Sequence, residues 1–132
     1  MIVLDASVLI PALLDYHPES TSTKERLMEW RDHSYGAPHL VDLEVAHTLR
    51  RIARAKRISE HTAAGALSDL MGMALQRFPH HPFLGRVWEL RHNLTAYDAA
   101  YLALAETLEV PLVTRDRGMA IADTTAEVVV IS

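Results

Sequence analysis

Cysteine is absent from this chain of 132 residues, which excludes disulfides, thiolate catalysis and cysteine-based zinc sites together. No apolar run approaches the roughly 20 residues needed to span a bilayer. Residues 1–10 also lack the basic start of a secretory signal, so the expected location is the cytoplasm, with no membrane partner. Glycine-rich phosphate loops of the GxGxxG or P-loop kind are missing, which argues against a nucleotide-binding module. Lysine is nearly missing too, with Lys24 and Lys56 the only two. That speaks against a phosphoaspartate receiver, which wants a late lysine. Phosphatases that use an aspartyl nucleophile want a second acid two residues on, and after Asp5 that position is Ser7. No repeat, low-complexity segment or linker divides the chain, so residues 1–132 read as one domain.

What is present is ordinary in bulk. With 49% hydrophobic and 23% charged residues the composition matches soluble globular proteins, and the length suffices to bury roughly two thirds of the unfolded surface. Residues 2–4 read as a buried strand followed by a short helix from Ser7 to Leu14. DYHPES reads as a loop, after which Thr21 or Ser22 caps a helix with Leu27 and Trp30 on its apolar face. YGAPH holds only a very short strand, because Pro38 lacks a ladder donor.

Val41, Val45, Leu49 and Ile52 form the stripe of a helix expected over 41–57. Ser59 caps another helix, expected to run through Arg77, and FPHHPF then gives a further strand or an extended loop. A helix over LGRVWELRH and a second one begun by Thr95 follow. PLVT and EVVVI are strands around a short helical turn in RDRGMAIAD. Alternating strands and helices predict an α/β sandwich of three layers, its mostly parallel sheet covered by helices on both faces.

Four acids stand at helix entrances. Asp5 and Asp116 each follow a strand and precede a helix, and in a parallel sheet ligands collect outside the carboxyl ends of the strands. Glu44 lies about 100° round from Val45, at the edge of the buried stripe. Asp98 falls beside Tyr101, Leu102 and Ala105, on the face that its helix should bury. Each has an ordinary explanation: Asp5 as an N-cap, Asp98 as the third residue after Thr95 in a capping box, Glu44 and Asp116 at positive helix ends. Together they weigh more. Four converging carboxylates would repel one another without a cation, and an all-oxygen set suits Mg²⁺ or Mn²⁺ with several waters retained.

The stretches IVLDASVLI, PHLVDLEVAHTLRR, LTAYDAAYLALAE and PLVTRDRGMA, in this order and spacing, resemble the PIN-domain family, in particular the VapC-type toxins of bacterial toxin–antitoxin pairs. The resemblance covers nearly the whole chain. It implies a PIN-like fold and a metal-dependent endoribonuclease whose acidic quartet is Asp5, Glu44, Asp98 and Asp116, with Ser7 and Thr114 as small hydroxyl residues beside the metal. It further implies hydrolysis to a 5′-phosphate and a 3′-hydroxyl, a homodimer, and inhibition by a cognate VapB-type antitoxin that lays a peptide across helices near the site. One departure is the absence of a further acid just after Asp116, where this chain has Arg117, Gly118, Met119 and Ala120. A non-catalytic RNA- or protein-binding PIN module is the alternative.

The formal charge of −4 opposes a polyanionic partner at first sight. With the quartet neutralised by metal, thirteen acids remain against thirteen cations, and eleven of these are Arg, whose planar fork suits phosphate. Arg50, Arg54 and Arg57 are expected opposite the Val45 stripe as a solvated face. Arg51, two turns from Glu44 on the same side, is the candidate for RNA phosphates, with an ion pair to a site acid as its ordinary role. The eight histidines show no zinc spacing, and His80 and His81 sit between prolines as a surface loop. Tyr97 and Tyr101 read as helix packing, with base stacking as the alternative.

Overall fold

A computed structural model describes residues 1–15 and 18–132; Tyr16 and His17, in the expected DYHPES loop, lie outside the described residues. The strands are β1 (Ile2–Leu4), β2 (Tyr35–Pro38), β3 (Leu75–Phe78), β4 (Leu112–Thr114) and β5 (Val128–Val130). The helices are α1 (Ala6–Leu13), α2 (Ser20–Leu27), α3 (Leu40–Arg54), α4 (Glu60–Gly72), α5 (Leu84–Glu89) and α6 (Ala96–Leu108). All the strands run parallel in the order β3-β2-β1-β4-β5.

β1 is central because its side chains are apolar on both faces, and Ile2, Val3 and Leu4 are each fully buried. From β1 the chain steps outward to β2 and β3, then returns to place β4 on the other side of β1. Right-handed crossovers put α1 to α4 on one face and α5 and α6 on the other. The packing agrees: α1 touches α2, α3 and α4, whereas α5 packs on α6. This is the three-layer α/β sandwich expected from the sequence. The strand order reverses between β1 and β4, so a crevice opens at their carboxyl ends.

Three local expectations need correction. The fourth helix stops at Gly72, and Leu75–Phe78, expected to be helical through Arg77, is strand β3. Leu, Gln and Arg are good helix formers, but Arg77 is held on the strand by Asp42, with Nε donating to Oδ2 at 2.8 Å and Nη2 to Oδ1 at 2.9 Å. α2 starts at Ser20 without a side-chain cap from Thr21 or Ser22. α3 ends at Arg54, because Lys56 takes a left-handed φ of 58° and turns the chain back. Pro38 is tolerated because it ends β2, where only β3 pairs with it.

Two bidentate arginine clamps fix the helices that matter below. Arg77 ties the start of α3 to β3, and Arg86 ties α5 to α6 through Glu106, with Nε to Oε1 at 2.9 Å and Nη2 to Oε2 at 3.0 Å. Among the described residues no helix is long and apolar enough to cross a membrane.

Candidate carboxylate site

Asp5 directly follows β1 and is the N-cap of α1. Its Oδ1 accepts from the Ser7 amide at 2.8 Å and from the Ser7 hydroxyl, while Oδ2 accepts from the Thr114 hydroxyl. Both hydroxyls are themselves tied to the neighbouring strand end. The Arg115 amide donates to Ser7 Oγ at 2.9 Å, and the Asp116 amide donates to Thr114 Oγ1 at 3.0 Å. The chain after β4 is thereby stitched to the Asp5 carboxylate by two short relays. Only 5% of Asp5 is exposed and Thr114 is fully buried, so the carboxylate plane is fixed by partners that cannot easily move.

Asp116, exposed just after β4, caps the 3₁₀ turn Arg117–Met119 and accepts from the Gly118 amide at 2.8 Å. Asp98 is half-buried in the first turn of α6, where its amide donates to Thr95 Oγ1 at 3.1 Å. Glu44 is also half-buried. Because α3 begins at Leu40, Glu44 lies one full turn in, and its Oε1 accepts from the Tyr101 hydroxyl at 2.5 Å.

The four acids sense one another electrostatically. Burial pushes the Asp5 carboxyl above its usual range, the hydrogen bonds from Ser7 and Thr114 pull it back in part, and the charge of Asp98 raises it further. Glu44 is also raised, first by burial, then by Asp98 and Asp5, against the opposing hydrogen bond from Tyr101. Asp98 is raised by burial and by Asp116, with its Thr95 hydrogen bond opposing. Burial and then the Glu44 contact hold the Tyr101 hydroxyl in its protonated form. No Lys or Arg pairs with any of the four acids among the described residues.

The fold thus brings Asp5, Glu44, Asp98 and Asp116 within electrostatic reach of one another at the β1 and β4 strand ends, with Ser7 and Thr114 bonded to the first of them. The donor set is oxygen alone. Among the described residues no three of the His, Asp and Glu side chains are close enough together to hold one metal ion.

Beside this crevice runs a groove of about 650 Å³ lined by Ser7, Thr48, Arg51 and Arg115 among others. Arg51 is exposed there with no ion pair to a site acid among the described residues. Arg57, expected on the far side of its helix, lines the same groove, since the turn at Lys56 brings it round. Arg50 and Arg54 are exposed as expected, and Arg54 lines a different recess beside Ser59 and Glu60. Sequence reasoning missed Tyr101 as a partner of Glu44. It missed Arg115 as well, although its place between Thr114 and Asp116 was a usable signal.

A sequence model for the PIN domain matches residues 2–124. Ribonuclease VapC1 of Mycobacterium tuberculosis is 41% identical over 121 residues, covering 91% of this chain and 89% of that protein. The crystal structure of PAE2754 from Pyrobaculum aerophilum superposes with a TM-score of 0.71 at 25% identity, covering 97% of this chain and 90% of that one. VapBC2 from Rickettsia felis, solved bound to a DNA fragment from its promoter, shares the fold with a TM-score of 0.70 at 12% identity, covering 100% of each chain.

Proposed function

The chain belongs to the PIN-domain family, and on that premise we propose that it is a VapC-type toxin, a metal-dependent endoribonuclease acting as a single domain over residues 1–132. The observation that carries this reading is the acid-only crevice at the β1/β4 strand ends. Three of its carboxyls are held above their usual range by burial and by neighbouring acids, with no Lys or Arg paired to them among the described residues. A divalent cation relieves that repulsion, and Mg²⁺, or Mn²⁺ in its place, suits the donor set. When bound it supplies Lewis acidity at the phosphate and a water of lowered pKa.

The chain's own residues do the positioning. Ser7 and Thr114 lock the orientation of Asp5, Tyr101 favours the ionised form of Glu44, and the cap at Thr95 fixes the helix start that carries Asp98. Asp116, at the rim, faces the incoming strand. An RNA phosphodiester enters from the open side, at the carboxyl ends of β1 and β4, and leaves as a 5′-phosphate and a 3′-hydroxyl.

The relatives' names extend the reading to partners. A cognate VapB-type antitoxin inhibits the enzyme, and the pair works in the cytoplasm. Exposed Leu84, Trp88 and Tyr97 on α5 and α6 offer apolar area for a homodimer. The deciding experiment incubates the protein with single-stranded RNA in Mg²⁺, in Mn²⁺ and in EDTA, beside the Asp98→Asn variant. Cleavage by the wild type in metal alone is expected. Binding without cleavage would return the chain to the non-catalytic module.

A further inference from the structure

We infer that Arg51, Arg57 and Arg115 form a phosphate-binding groove that holds the RNA strand beside the phosphodiester being cleaved, and that Glu19 occupies this groove when RNA is absent. The identity of the polyanion rests on the ribonuclease reading; the groove itself rests on the following geometry.

Arg51 and Arg57, from the end of α3 and the turn after it, and Arg115, from the end of β4, line one cavity of about 650 Å³ together with Ser7, Glu19 and Ile52. Arg51 is an exposed residue of α3. Arg57 arrives through the left-handed turn at Lys56, closed by its own amide donating to the Ile52 carbonyl at 3.2 Å. Arg115 leaves the end of β4. Arg115 lies far along the chain from Arg51 and Arg57, so an ordinary solvated helix face does not account for its meeting them here.

The cavity borders the carboxylate site at one residue, Ser7. Ser7 lines it, bonds Asp5 through its hydroxyl, and accepts the Arg115 amide. A strand whose phosphodiester sits at Asp5 therefore passes into this groove on one flank. Cations on that flank hold the phosphate next to the one being cleaved.

Arg115 carries the strongest sign of a ligand. Its guanidinium is mostly covered, with 16% of the side chain exposed, and Nη1 pairs with the Glu19 carboxylate. Its Nε is buried and finds no hydrogen-bond partner among the described residues. A buried donor left unmade is costly, and a guanidinium fork engaged by one carboxylate oxygen has capacity left for a phosphate. Glu19 thus stands where a phosphate oxygen would stand, and RNA displaces it. Ile52 between the cations gives apolar contact for a ribose or base face.

The test measures binding of a short single-stranded RNA in EDTA across a salt series, and separately its cleavage in Mn²⁺ beside hydrolysis of bis(p-nitrophenyl) phosphate, which has a single phosphodiester and no flank. Arg57→Ala and Arg115→Ala are each expected to weaken RNA binding about ten-fold, the scale of one charge-assisted contact. Each should also reduce the salt slope by about 1. KM for RNA rises by more than kcat falls, and hydrolysis of the small diester is affected less than that of RNA. Arg115→Lys recovers part of the affinity, Glu19→Gln tightens binding, and Arg54→Ala changes nothing.

The inference is overturned if Arg54→Ala matches the others, or if Arg115→Ala slows the small diester as much as RNA, which would make it a support for Ser7 only. It is likewise overturned if RNA binding is untouched while binding of an antitoxin peptide is lost. A wild type that binds RNA through these arginines and cleaves nothing would overturn the ribonuclease reading and leave the groove standing; cleavage indifferent to all three arginines would do the reverse.

Discussion

The Tyr101 hydroxyl donates to Glu44 Oε1 at 2.5 Å and so joins α6 to α3 across the mouth of the acidic crevice. Tyr101 is 1% exposed, so the donor is rigid and lies among packed apolar neighbours. It favours the ionised form of Glu44, opposing burial and the charges of Asp98 and Asp5.

Tyr101→Phe removes that donor and keeps the ring. Glu44 then holds its proton to higher pH, and the acid limb of metal-dependent RNA cleavage is expected to move upward in pH. Stability falls by about 1 kcal/mol, the net worth of one hydrogen bond. A pH–rate profile over the acid limb checks this, and an unmoved limb would reduce Tyr101 to a packing residue.

Thr114→Val is nearly isosteric yet removes the donor to Asp5 Oδ2, the acceptor for the Asp116 amide and the 3.4 Å hydroxyl contact with Ser7. Thr114 is fully buried, so water cannot replace them, and a loss of about 1–3 kcal/mol is expected. Metal affinity falls with it, because Asp5 loses one of the three hydrogen bonds described for its carboxylate, the one that fixes Oδ2. Thermal melts with and without Mn²⁺ separate the two effects, and a stable variant with unchanged metal affinity would refute the relay.

Metal-free stability should depend on pH in an unusual direction. Asp5, Glu44 and Asp98 have carboxyls raised above the ordinary 3.8 for Asp and 4.5 for Glu. Each binds its proton more tightly folded than unfolded. Their contribution is full below those ordinary values and is lost as pH climbs through the raised ones. Glu106, held below its ordinary range by Arg86 despite burial, works in the opposite sense. It is untouched by metal, however. Melting temperature in EDTA relative to that in Mg²⁺ is therefore expected to fall as pH rises above about 4.5 toward neutrality; a constant gap would deny the coupling.

What the sequence could reveal here was local. A strand end, a first helical turn and a cap are set within a few residues, so Asp5, Asp98 and Asp116 were legible as site candidates, and β1, β4 and β5 as strands. The fourth helix was extended too far because Leu75, Gln76 and Arg77 favour helix, while the clamp to Asp42 that makes them strand lies 35 residues away. Tyr101 with Glu44, and Arg57 with Arg115, are meetings that only the tertiary fold creates. The wheel argument that set Arg57 apart from Arg51 assumed a helix through residue 57, and one left-handed residue at Lys56 undid it.

Asp98 offers the sharpest contrast between a cap and a site residue. Its amide is the group that Thr95 caps, at 3.1 Å, and this bond survives any change of the side chain. The carboxylate itself lies half-buried beside like charges, raised first by burial and then by Asp116, and it raises Asp5 and Glu44 in turn. Asp98→Asn preserves shape and removes one charge from that set. In EDTA the variant is expected to melt higher than the wild type, because the remaining acids repel one another less. Added Mg²⁺ raises its melting temperature less than that of the wild type, since one fewer carboxylate favours the ion. RNA cleavage is lost. If the variant instead melts lower in EDTA, the carboxylate serves chiefly the helix end, and the metal site must be built from Asp5, Glu44 and Asp116 alone.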